Sequence, residues 1–155
     1  MSTQQRTSVV PDLIDTMVAD FAARLPGVIV SDGYSGLNEP GTALYVGVDD
    51  PASTSPANAA TSSQDWPLLT GRSRDETGEV TLAVEALDGS GDAKAARDGV
   101  FAVAGVVQDR LRESITLEVP GVLWLGYTSQ TLNQAQTPDG AVALLRFTIA
   151  FKARI

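Results

Sequence analysis

Apolar residues recur at three- and four-residue steps near the start of the chain, at Val10, Leu13, Ile14, Met17, Val18, Phe21 and Leu25. That period puts them on one face of a helix running from Val10 to Leu25. The helix should end near Pro26-Gly27. Ser8 is placed to cap its start, with Pro11 and Asp12 in the first turn, where a missing amide costs nothing and a negative charge suits the helix dipole. A second helix is predicted from about Ala93 to Ser114. The segment DGSGD (Asp88 to Asp92) breaks the chain before it and supplies Asp92 as a cap. Ala96, Val100, Val103, Ala104, Val107 and Leu111 form its apolar stripe, and the small residues allow close approach to a sheet.

The period changes to two elsewhere. Val28 to Val30 and Ala43 to Val48 are short and rich in β-branched residues, separated by the turn-forming stretch from Asp32 to Gly41. From Trp66, the segment WPLLTGRSRDETGEVTLAVEAL predicts two strands joined by a charged turn at Asp75 to Gly78. Within it Val80, Leu82, Val84 and Ala86 alternate with Glu79, Thr81, Ala83 and Glu85, which implies one buried and one wet face. Two last strands, Val122 to about Gln136 and Ala141 to Ile155, are joined at TPDG (Thr137 to Gly140). In the last, Leu145, Phe147, Ile149, Phe151 and Ile155 point one way and Arg146, Thr148, Lys152 and Arg154 the other.

From Asp49 and Asp50 to Asp65 the chain turns to Ala, Ser, Thr, Pro and Asn, with no period and almost no large apolar residue. A mobile loop is predicted there, and loops of that length are commonly functional or disordered. The element order implies an α+β fold: one largely antiparallel, mixed sheet of about six strands with two α-helices packed on one face. The 155 residues suit one domain, and no internal repeat is visible.

Composition narrows the chemistry. The chain has no Cys and no His, so disulfides, thiolate nucleophiles, imidazole bases and the commonest transition-metal ligands are all missing. Neither a cofactor nor a metal is expected. A carboxylate hydrolase stays open in principle, since that chemistry needs only Asp and Glu. With a net charge of -8 and scattered basic residues, sequence-specific binding of DNA is not expected. No apolar run reaches the length of a membrane span, and MSTQQRTS lacks the apolar stretch of a secretory signal, so no membrane partner is expected.

Individual residues carry weaker signals. Asp49-Asp50 reads as a solvated loop entrance, since neighbours on a strand end point apart and no other carboxylate is near in sequence. Arg72, Arg74, Asp75, Glu76 and Glu79 either form ion pairs across a subunit boundary or keep an exposed turn soluble. Trp66 and Trp124 are read as core anchors or subunit contacts. The face carrying Arg146, Lys152 and Arg154 is either wet or set against an acidic neighbour. TPDG and DGSGD lack the spacing of calcium or phosphate loops.

Several phrases together resemble the tail terminators of long-tailed, non-contractile bacteriophages, particularly siphophages of actinobacteria. They are ALYVGVDD (Ala43 to Asp50), the Ser/Ala/Thr/Pro loop ending at Trp66, GRSRDETGEVTLAV (Gly71 to Val84), GSGD followed by Ala95, Ala96 and Arg97, and QTPDGAVALLRFTIAFKARI (Gln136 to Ile155). Two stretches depart from the pattern, the insertion after Asp50 and ESITLEVPGV (Glu113 to Val122). The resemblance implies a structural virion protein without enzymatic activity. It would form a homo-oligomeric ring, expected as a hexamer, on the last ring of tail tube protein. It would stop tube growth and present a surface to the head-tail connector or stopper protein, with double-stranded DNA passing through the hole without specific binding. Its place would be the neck of the virion, and the host cytoplasm during assembly. Trp66, Arg72, Arg74, Asp75 and Glu76 are the subunit-interface candidates, and Asp49, Asp50 and Asp65 belong to the contact loop. Another neck or minor tail adaptor of similar fold is the alternative.

Overall fold

The computed structural model describes residues 6–67 and 71–155. Helix α1 (Val10–Arg24) is followed by strands β1 (Ile29–Asp32), β2 (Gly41–Val46), β3 (Ala60–Asp65) and β4 (Asp75–Asp88), helix α2 (Ala93–Glu113), and strands β5 (Val122–Thr137) and β6 (Gly140–Arg154). The six strands form one open sheet in the order β1-β2-β4-β6-β5, with β3 on the first half of β4. Only β1 and β2 are parallel; the other pairings are antiparallel. Both helices lie on one face, so the fold is α+β as the element order implied.

The core follows from the two periods. Leu13, Met17 and Phe21 of α1 and the whole predicted stripe of α2 are buried against the sheet. They meet Val80, Leu82, Val84 and Ala86 of β4 and Leu145, Phe147, Ile149 and Phe151 of β6. Tyr127 of β5 stacks on Phe147 with ring centroids 4.8 Å apart. A bidentate pair ties the helices together: Arg110 donates to both carboxylate oxygens of Asp20, at 2.9 and 3.0 Å.

Five expectations change. The predicted loop from Asp49 to Asp65 is shorter, because Ala60–Asp65 is an edge strand, paired from Ala60↔Val80 to Asp65↔Asp75. Five of its six residues are exposed, so no apolar alternation marks it; its stability comes from backbone hydrogen bonds to β4. Asp75 to Gly78 is not a turn. It opens the fourteen-residue strand β4, flanked by β3 and β6. Gly78 is needed there for a different reason: a Cβ on it would lie 2.2 Å from the carbonyl oxygen of Thr61. The preceding strand expected from Trp66 is absent at Trp66, Pro67 and 71–74, and its part on 68–70 lies outside the described residues.

The supposed wet face of β4 is also partly covered. Ala83 packs with Ala43, Tyr45 and Val48 in a second small core, roofed by Leu37 and Leu144. Finally, Ser8 is not the N-cap of α1. Val9 holds that position without a side-chain cap, and the Ser8 hydroxyl accepts from the Val10 N–H at 3.0 Å one residue upstream of the expected geometry. The cap of α2 is as predicted, with the Asp92 carboxylate accepting from the N–H groups of Lys94 and Ala95.

Candidate functional site

The charged cluster at the start of β4 is where sequence placed an interface, and the fold uses most of it internally. Glu76 is 0% exposed. Its carboxylate accepts the Val9 N–H at 2.8 Å, the Ser8 hydroxyl at 2.6 Å and the Ser62 hydroxyl at 2.7 Å. One acidic side chain thus joins β4, β3 and the N-terminus of α1, where the helix dipole favours it. Burial pushes its pKa up, but the hydrogen bonds from Ser8, Val9 and Ser62 outweigh that and hold it below the usual glutamate range. Glu76 is therefore inside the domain, closed to contact from outside, and this corrects its placement on an exposed turn.

Its neighbours are engaged too. Asp75 accepts a fork from Arg154 at 2.7 and 3.1 Å, which lowers the Asp75 pKa and raises that of Arg154. This pair ties the first residue of β4 to the last of β6. Arg74 donates to Gln64 at 2.8 Å and to the Arg6 carbonyl at 2.6 Å, holding the chain before α1 in place. Its guanidinium also sits 5.4 Å from the centre of the Trp66 ring. A shallow cleft of about 360 Å³ separates these groups, lined by Arg6, Thr7, Gln64, Trp66 and Arg74. Of the five interface candidates, only Trp66, 53% exposed and held by the Arg74 contact alone, and Arg72 are largely open to solvent. Neither Trp66 nor Trp124 anchors the core; Trp124 is 42% exposed.

Asp49 and Asp50 shape a turn. Asp49 accepts from the Asp50 N–H and Asp50 from the Ala52 N–H. Asp65 lies at the far end of β3, so the three are not one loop.

The sequence did not point to a second polar recess, on the open face of the sheet. It encloses about 200 Å³ and is lined by Asp49, Thr81, Ser129, Thr131, Arg146 and Thr148, with Leu82 and Phe147 beneath. The Thr148 hydroxyl is shared with Thr128 at 2.6 Å and Ser129 at 2.8 Å. Nε of Arg146 is buried without a partner among the described residues. Alternation had marked Arg146 and Thr148 as sharing a face, but the bulge in β5 that brings in Ser129 left no trace in the sequence. Nearby, the buried Tyr45 hydroxyl donates to Glu85 at 3.0 Å, and burial together with that carboxylate raises the phenol pKa. No group of three or more Asp and Glu side chains is arranged to hold a metal ion among the described residues. No helix among them is long and apolar enough to cross a membrane.

No protein-family model matches this chain, and no curated protein matches it either.

Proposed function

We propose that this chain is a structural subunit of a bacteriophage neck, a tail terminator that forms a ring on the end of a non-contractile tail tube. What supports the reading is where the resembling phrases fall. Ala43 to Val46 is in β2, Asp75 to Val84 in β4, the GSGD lead runs into α2, and Gln136 to Arg154 runs from the end of β5 through β6. They belong to one sheet and the helix covering it, in the order the resemblance requires. The ionisable groups described above serve the fold itself: Glu76, Asp75, Asp20 and Arg110 each tie one structural element to another.

An acidic subunit repeated around a channel also sets up a negative field, which disfavours adhesion of a passing polyanion. The partners of this reading are further copies of the chain, the tail tube protein and the connector or stopper. The test is deletion of the gene in a phage or tube-assembly system. Tails of abnormal length that fail to join heads are expected; normal tails that join heads would overturn the reading.

A further inference from the structure

We propose that copies of this chain associate head to tail along the sheet, the β5 edge of one copy meeting the β1 edge of the next. The ring-forming subunit proposed above needs two unlike mating surfaces, and this assignment rests on that reading. The two edges of the sheet are unlike in a complementary way. From Val122 to Thr137, β5 holds no charged residue and no proline, and its outer side has no strand partner among the described residues. Edge strands that stay single are normally blunted by charge or proline. This one is interrupted only by irregularities between Val122 and Trp124 and between Tyr127 and Gln130, which leaves Gln130 to Thr137 in regular register. At its start Leu123, Trp124 and, on the turn after α2, Ile115 are all exposed.

The opposite edge also carries misplaced apolar side chains. Ile29 of β1 is 50% exposed, and Tyr34, just beyond the strand, is 57% exposed while packing edge-on against Tyr45 at 5.0 Å. Charge divides the same way. Between Leu25 and Gly71, which includes β1, β2 and β3, there is no Lys or Arg, but Asp32, Glu39, Asp49, Asp50 and Asp65 are all present. Strand β6, next to β5, carries Arg146, Lys152 and Arg154 and no carboxylate. Neither Arg146 nor Lys152 has an ion-pair partner among the described residues.

The stretch carrying β1, β2 and β3 is thus acidic, while the cations without an ion-pair partner among the described residues, Arg146 and Lys152, lie on β6, one strand in from the β5 edge. Asp49 shares the recess of Arg146 and Arg154 is paired with Asp75, so the charge difference between the two sides rests chiefly on Lys152 and the acidic stretch and favours unlike edges over like ones. A symmetric dimer through two β5 edges would bring toward each other two β6 strands that carry cations and no carboxylate. Because β1 has only four residues, backbone pairing is short, and the exposed rings and Leu123 must supply much of the roughly 800 Å² per partner that a stable contact needs.

Complementation between two blocked variants of the full chain tests this. Leu123→Asp with Trp124→Asp blocks the β5 edge, and Ile29→Asp with Tyr34→Asp blocks the β1 edge. Light scattering should show wild-type species larger than a dimer that dissociate as salt is raised, each variant as a monomer, and the equimolar mixture as a dimer that grows no further. Circular dichroism and thermal melting check that each variant is folded; if a double variant is not, Leu123→Asp or Ile29→Asp alone takes its place. Monomeric wild type at its solubility limit, variants that assemble like wild type, or a mixture that stays monomeric would each overturn the proposal. The tail reading fails separately, on normal tails after gene deletion. Blocked variants that still terminate tails would sink the edge assignment and leave that reading intact.

Discussion

The carboxylate of Glu76, near the start of β4, receives the backbone N–H of Val9, the N-cap of α1, across 67 positions of sequence. A free helix N-terminus has amide donors with no partner. Here a strand side chain satisfies one, and the same carboxylate takes the hydroxyls of Ser8 and Ser62. Replacing Glu76 with Gln removes the charge and leaves those donors weakly matched, so the domain should lose about 2 kcal/mol at neutral pH. The folded-state pKa of Glu76 is depressed, so its contribution is complete above the unfolded value of about 4.3 and is lost as pH falls through the folded value. Denaturant titrations across that acid range should show the wild type converging on Glu76→Gln. A gap that stays constant through the acid range would show that the charge is irrelevant.

Gly78 gives a sharper steric test. Its position within β4 brings β3 so close that a methyl group would strike the Thr61 carbonyl. Gly78→Ala should detach β3 or destabilise the domain by about 1 to 3 kcal/mol, as other overpacked sites do. Hydrogen exchange would separate the two outcomes, since detachment exposes the amides of Ala60–Asp65 alone.

How much of this was readable in the sequence depends on whether each element has one buried face. The stripe of α2 and the alternation of β6 both do, and every predicted position on them is buried except Ile155, which lies just past β6 and is half-buried. Strand β3 has no such face: ATSSQD is wet almost throughout, so its composition reads as loop. Asp75 to Gly78 reads as a turn because Asp and Gly favour turns, and only the two flanking strands reveal otherwise. The cluster of Arg74, Asp75 and Glu76 was visible as charge, but not its use, because the partners Arg6, Arg154 and Val9 lie far away in sequence.

On β6, neighbouring residues should differ widely. Phe147→Ala and Ile149→Ala each open a void beneath α2 and should cost about 2 to 5 kcal/mol. Phe147 also loses its stack with Tyr127. Arg146 lies on the opposite face, half-buried, with Nε lacking a partner, so Arg146→Ala should cost about 1 kcal/mol or less. Chemical denaturation of the three variants checks this, and equal losses would show the burial of the strand to be misassigned.

The segment once read as a single loop should split into two parts that respond differently to deletion. Residues 52–58 are exposed throughout, and as far as Ala57 the side-chain ties are local, such as the Ser55 N–H donating to Ser53, while the Asn58 carbonyl already accepts from the Thr81 hydroxyl. Residues from Ala59 onward are another matter. The Thr81 N–H donates to the Ala59 carbonyl at 3.0 Å, and Ser62 completes the cage around Glu76. Excising 52–56 shortens a connection whose closure entropy varies only slowly with length, so stability should change by less than about 1 kcal/mol. Removing 60–65 instead strips the backbone partner from half of β4 and uncovers the Glu76 carboxylate, so a loss of several kcal/mol, on the order of a buried charge network, is expected. Thermal melts of the two deletions should therefore diverge sharply. If both were tolerated alike, β3 would contribute nothing to the fold, and the Glu76 cage would have to hold without Ser62.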